Sequence, residues 1–188
     1  MIDLKTIKLT IRNYTPNKLD DDTSAQGAVI VPIYSKENDL FMLFTKRTEA
    51  LSSHKGQISF PGGKQEENDK TLFDCAIRET HEEIGLERNK IELFGEIDQI
   101  KTFGSNVLLT PFVCKVDYPF NLEINENEVA EIIEVPFKEL FNRDNWDVKK
   151  VMLADVKERH IYYFHYKKWV IWGATGRIVN QFISLFKI

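Results

Sequence analysis

Arg78-Glu79-Thr80-His81-Glu82-Glu83-Ile84-Gly85-Leu86 concentrates three carboxylates near the end of one predicted helix. At about 100° per residue, Glu79, Glu82 and Glu83 fall within a sector of roughly 100° on one helix face. Like charges at these spacings destabilise a helix. Gly85 is a helix stop, so Glu82 and Glu83 lie at the negative end of the helix dipole. Local relief is thin: Arg78 precedes Glu82 by four residues, the less favourable order, while Glu79 and Glu83 face only each other at that spacing. A helix that carries this charge neutralises it with something else, and a hard divalent cation such as Mg²⁺, which takes carboxylate oxygens, is the expected partner. A solvated acidic helix face is the competing reading.

Outward from this helix, which is expected over about 70–84 with Leu72, Cys75, Ala76, Thr80 and Ile84 inside, strands dominate. Ala28–Tyr34 and Leu40–Arg47 flank the polar turn 35–39 and read as a hairpin. A short strand at 57–60 is broken by Pro61-Gly62-Gly63. Further strands are expected at 91–100, 107–116 and 129–135, followed by a short helix at 137–141 opened by Pro136. Two or three more strands fit 148–153, 160–166 and 169–172, and an amphipathic helix with Ile178, Val179, Phe182, Ile183 and Phe186 closes the chain. Residues 1–25 read as an N-terminal helix or arm. Helices intervene irregularly among the strands, so the expectation is one α+β domain with a mixed sheet.

The chain has 188 residues, 43% hydrophobic and 12% aromatic, enough for a domain with a real core. A net charge of −4 argues against broad non-specific nucleic-acid binding, which wants a basic surface. Cys75 and Cys114 lack CxxC spacing and read as buried reduced thiols, and the four histidines form no zinc-like pattern with them. No run approaches a membrane span or a signal core, so a cytoplasmic protein is expected, acting on a small molecule with neither nucleic acid nor membrane as partner. A homodimer stays open.

The segment Gly63 to Leu86 resembles the Nudix box, G-x5-E-x7-R-E-U-x-E-E-x-G-U with U bulky and apolar. Arg78-Glu79, Glu82-Glu83 and Gly85-Leu86 match. Asp69 fills the first acidic position, eight residues rather than seven before Arg78, and Thr80 takes the first apolar position. Upstream, Leu43-Phe44-Thr45-Lys46-Arg47 and Gly56 through Gly63 resemble the second signature of the coenzyme A pyrophosphatase branch, L-L-T-x-R-[SA]-x3-R-x3-G-x3-F-P-G-G, with Thr48 for the small residue and Ser52 for the second arginine.

The resemblance implies a Nudix fold, a mixed sheet flanked by helices in an α/β/α sandwich. It implies an enzyme dependent on Mg²⁺ or Mn²⁺ that hydrolyses the pyrophosphate bond of coenzyme A or a derivative to 3′,5′-ADP and 4′-phosphopantetheine. The alternatives are another nucleoside diphosphate derivative (ADP-ribose or a dinucleoside polyphosphate) and a non-catalytic Nudix-fold binding module. By the same resemblance Glu79, Glu82 and Glu83 are metal ligands, with the Gly63 carbonyl a further one and Glu79 the residue given base duty in some members. Arg78 orients the carboxylates. Glu128 or Glu131 supplies an extra acid, and Lys46, Arg47, His54 and Lys55 face the nucleotide phosphates. His81 reads as helix surface, the aromatics Tyr162, Tyr163, Phe164, Trp169 and Trp172 read as core, and the glycine-rich run 173–177 is the turn into the last helix, because too few residues follow it for a dinucleotide-binding unit.

Overall fold

A hairpin that opens like a wedge organises the molecule. The structure, a computed structural model, describes residues 2–21, 23–49, 55–102, 105–152 and 158–186. Strands β1 (Ala25–Lys36) and β2 (Asp39–Arg47) are joined at Glu37-Asn38, both in the left-handed region with φ of 53° and 67°, the geometry of a tight hairpin turn. They pair only from Ile33–Lys36 to Asp39–Met42, then diverge. The gap is filled by β3 (Ile58–Ser59), which pairs with β2, and β4 (Gly62–Lys64), which pairs with β1. Pro61-Gly62-Gly63 was expected to break a strand. β3 does end before it, and the run then carries the chain across the wedge, with Pro61 accepting from Ile30 N–H at 2.9 Å and the glycines pairing with Ala28 and Val29.

The sheet extends through β7 (Val107–Val116), parallel to β1, and then β5 (Ile91–Glu96); β6 (Ile100–Lys101) lies on β7, and β8 (Val129–Pro136) on the far side of β2. The single strand expected at 91–100 is interrupted. Asp98 and Gln99 leave the ladder to hold the N-terminal segment, accepting from Tyr14 Oη at 2.6 Å, Asn17 N–H at 2.8 Å and Leu19 N–H at 2.9 Å. Helix α1 (Leu4–Arg12) docks there through Ile7 and Ile11.

Helix α2 (Leu72–Ile84) starts at Thr71, whose hydroxyl accepts from Asp74 N–H at 3.1 Å, and stops at Gly85 in the left-handed conformation with φ 69°. It packs on one face of the sheet over Ala28, Ile30, Phe112 and Cys114. The other face carries the main core with α1, α3 (Phe137–Phe141) and α4 (Gly173–Ser184). The arrangement is a helix, a mixed sheet and further helices, as expected. The strands expected near the end of the chain are present. β9 (Trp146–Met152), β10 (Glu158–Tyr166) and β11 (Trp169–Ile171) form a separate antiparallel sheet, attached to the main core by Phe164 and Ile171. No helix of the described residues is long and apolar enough to cross a membrane.

Candidate active site

Alternate turns of α2 bury Cys75, Ala76, Thr80, Glu83 and Ile84. Four of the five residues predicted for the inner face are buried and Leu72 is half-buried; the structure adds Ile77 and, unexpectedly for a carboxylate, Glu83, which is 2% exposed. Thr80 satisfies its buried hydroxyl by donating to the Ala76 carbonyl at 2.6 Å. Glu83 has no comparable local outlet. Its Oε2 accepts from Gly62 N–H at a long 3.4 Å, and its Oε1 lies 3.6 Å from Arg47 Nη1. Burial pushes its pKa up to about 8, against the pull of Arg47. Glu79, one turn earlier, is raised by burial as well. Its carboxyl carbon lies 2.3 Å from where a Cβ on Gly63 would stand, so any side chain there would displace the Glu79 carboxylate.

Basic help, thin in the sequence, comes from two arginines. Arg78 reaches back to Asp69 through a two-pronged pair, Nε to Oδ1 and Nη2 to Oδ2, both 3.0 Å, and donates to the Lys64 carbonyl at 3.1 Å. Its remaining nitrogen Nη1 holds Glu79 at 3.1 Å and Glu82 at 2.9 Å. Asp69, 5% exposed, has its pKa lowered by Arg78, and thus performs its contact despite the shorter side chain and the extra residue before Arg78. The second arginine, Arg47, comes from the end of β2. Strand alternation sends Leu43, Thr45 and Arg47 to the α2 face and Phe44 and Lys46 to the other. Lys46 and Arg47 therefore do not act as one basic patch. Lys55 is exposed, and His54 and Ser52 lie outside the described residues.

The loop before β8 wraps the end of α2. Glu123 N–H donates to Ile84 at 2.9 Å and Asn125 N–H to Glu83 at 3.0 Å, closing the last helical carbonyls. Glu128 follows on this loop, tied to Thr48 N–H through its carbonyl at 3.0 Å, and its charge raises both Glu79 and Glu83. Glu131 is not brought here. The β2–β8 register shifts between Lys46 and Arg47, and the Glu131 carboxylate instead faces Trp169 Nε1 at 3.4 Å and Lys168 at 3.8 Å. His81 is exposed, as expected.

The aromatic expectation needs a partial correction. Phe164 is fully buried, whereas Trp172 is 43% exposed and stacks on Tyr163 with ring centroids 6.1 Å apart. Trp172 and Tyr162, with Ile100, Lys101 and Arg177, line a cavity of about 810 Å³ that none of Glu79, Glu82, Glu83 or Arg47 borders.

The donor set suits a hard divalent cation. Glu79 and Glu83 flank Gly62-Gly63, both are disfavoured as bare anions, and Glu128 adds a third charge to the same field. Among the described residues no three ligand side chains converge on one point in this arrangement. Arg78 Nη1 holds both Glu79 and Glu82, whereas Glu83 lies beside Arg47.

Fold and site together define a Nudix domain, and a family model of the NUDIX domain matches residues 24–156, so the chain belongs to that family of metal-dependent hydrolases. An uncharacterized Nudix hydrolase, NudL, of Photorhabdus laumondii is 32% identical over 166 residues, covering 88% of this chain and 87% of its own. The NudL of Yersinia enterocolitica is 30% identical over 158 residues, covering 84% and 80%. Among solved structures, a MutT/nudix family protein from Enterococcus faecalis superposes with a TM-score of 0.58 at 13% identity, covering 97% of this chain and 69% of its own. A C. elegans Ap4A hydrolase does so with 0.51 at 14% identity, covering 61% and 82%. These two likenesses are to the fold.

Proposed function

We propose that the protein hydrolyses the pyrophosphate bond of coenzyme A or a coenzyme A derivative, releasing 3′,5′-ADP and 4′-phosphopantetheine or its acyl form. The observation that carries this reading is that the coenzyme A-type signature and the Nudix box meet at one carboxylate. Arg47, from the first half of the signature, and Gly62 N–H, from its end, both contact Glu83 of the box.

In this reading Glu79, Glu82 and Glu83 hold the cations with the Gly63 carbonyl, and Glu128 is the additional acid. The Gly63 carbonyl lies opposite Ala28 in the β1–β4 ladder, and its oxygen faces the Cys75 thiol, a weak donor, at 3.7 Å. Mg²⁺ or Mn²⁺, when bound, neutralises the diphosphate oxygens and acidifies the attacking water. The chain's own part is positional. Arg78, fixed by Asp69, keeps Glu79 and Glu82 in place, and Gly63 lets Glu79 approach the bend. Burial holds Glu79 above the usual carboxylate range, which brings it closer to the basicity useful in proton transfer.

Initial rates on coenzyme A, ADP-ribose and a diadenosine polyphosphate, with Mg²⁺ and then Mn²⁺, test the substrate. Coenzyme A is expected to be the fastest, and slowest turnover of it among the three overturns the assignment. Mass spectrometry of products formed in ¹⁸O water then reports the attacked phosphorus. Gly63→Ala tests the geometry. The added methyl meets the end of the flexible Glu79 side chain, so stability should fall by no more than about 1 kcal/mol. The rate should nevertheless drop on the order of tenfold, because a displaced group in a preorganised site is costly. Unchanged kcat would separate Glu79 from the reaction.

A further inference from the structure

Arg47 and Glu83 are each incompletely partnered. At 3.6 Å their closest approach exceeds the roughly 2.7–2.9 Å of a charge-assisted hydrogen bond. Arg47 Nε is buried without a hydrogen-bond partner among the described residues. Glu83, 2% exposed, otherwise receives only the 3.4 Å contact from Gly62 N–H. A buried pair in loose geometry recovers little of what its desolvation costs. Arg78 offers a contrast, since its three nitrogens already serve Asp69, Glu79, Glu82 and the Lys64 carbonyl at 2.9–3.1 Å. Arg78 is committed to structure. Arg47 has donors to give.

We propose that Arg47 is a placeholder cation. In the arrangement seen here it pairs with Glu83, and once a divalent cation takes that carboxylate it turns its guanidinium to the diphosphate of the substrate. A planar guanidinium suits that second task because it matches phosphate oxygens with two parallel donors. The exchange keeps the buried Glu83 side chain partnered before and after metal loading, and it couples metal loading to substrate grip. The proposal rests on Glu83 being a metal ligand, as argued above.

The test follows the Arg47 Nε–Hε resonance of the wild-type protein by ¹⁵N NMR, assigned by its loss in Arg47→Lys, during a Mg²⁺ titration without substrate. The resonance is expected to move with the same saturation curve as Mg²⁺ binding measured by calorimetry. In a second measurement a methylene-bridged ADP, which carries a diphosphate that cannot be hydrolysed, is titrated with and without saturating Mg²⁺. The Mg²⁺-induced gain in its affinity should shrink about 5-fold or more in Arg47→Gln, the size of an ordinary coupling between sites. A resonance that stays put, or a gain that survives the substitution, overturns the proposal. Glu83→Gln separates the two layers. If it abolishes Mg²⁺ binding while the Arg47 resonance is indifferent to Mg²⁺, the placeholder role alone fails. If Mg²⁺ binding is unaffected by Glu83→Gln, the underlying ligand assignment fails.

Discussion

Glu83→Gln is expected to lower kcat by about 10²-fold or more, the loss typical when a charge-stabilising group is removed from a preorganised site. The same variant should leave the metal-free protein no less stable at neutral pH and more stable at high pH. The sign follows from the direction of the shift. Burial raises the Glu83 pKa to about 8 in the folded state, well above the ordinary carboxylate value. Below that ordinary value the side chain is protonated in both states and costs nothing. As pH rises toward 8 the unfolded chain gives up its proton and the folded one keeps it, so stability falls, and above 8 the full penalty is present. Glutamine carries no such dependence. The difference between variant and wild type should therefore widen by on the order of 2–4 kcal/mol between pH 5 and pH 9 in EDTA, measured by urea denaturation. Added Mg²⁺ should stabilise the wild type and not the variant. A variant that loses stability while keeping kcat would make Glu83 a structural acid, and the proposed chemistry would need another ligand.

The helix carrying this residue was plain in the sequence because its signals are local. Thr71 caps one end, Gly85 the other, and the apolar spacing between them marks the inner face. Pro136 announced α3 at its observed bounds, and the polar turn after β1 announced the hairpin, for the same reason. What sequence reasoning missed depends on contacts between distant segments. That Glu83 faces inward follows from its lying three residues after Thr80 and seven after Ala76, yet its charge argued for the surface. Its arginine comes from β2, 36 positions earlier, and no spacing rule connects them. Glu128 and Glu131 looked equivalent, and the choice between them turns on a register shift in the β2–β8 ladder. The break after β5 and the separate sheet at the end likewise reflect packing partners, the N-terminal segment in one case and the main core in the other.

Arg78→Met tests the opposite kind of residue, one whose contacts are all made in the folded protein. The substitution removes the two-pronged partner of Asp69, which keeps the Glu66 N–H at 2.8 Å, and releases Glu79 and Glu82, so it should cost about 1–3 kcal/mol, as losing charge-assisted hydrogen bonds at a half-buried site does. In a chain of this size that lowers Tm by on the order of 5 °C. Most of the loss belongs to the abandoned Asp69 carboxylate and little to the attraction itself. Arg78→Met combined with Asp69→Leu should therefore regain part of the stability, while kcat stays low because Glu79 and Glu82 remain unheld. Acid behaviour distinguishes the two variants from the wild type. The Asp69 pKa is depressed by Arg78 in the folded state, so its contribution is fully present above the ordinary carboxylate range and disappears as pH falls through the lower folded value. Wild-type denaturation curves should weaken on descending below about pH 4. Neither variant should show this component, since one lacks the guanidinium and the other lacks both partners. Equal stability of Arg78→Met and wild type at pH 7 would mean that water replaces the guanidinium at Asp69 without penalty, and that the rigidity of the acidic helix end comes from the loop at Glu123 and Asn125 alone.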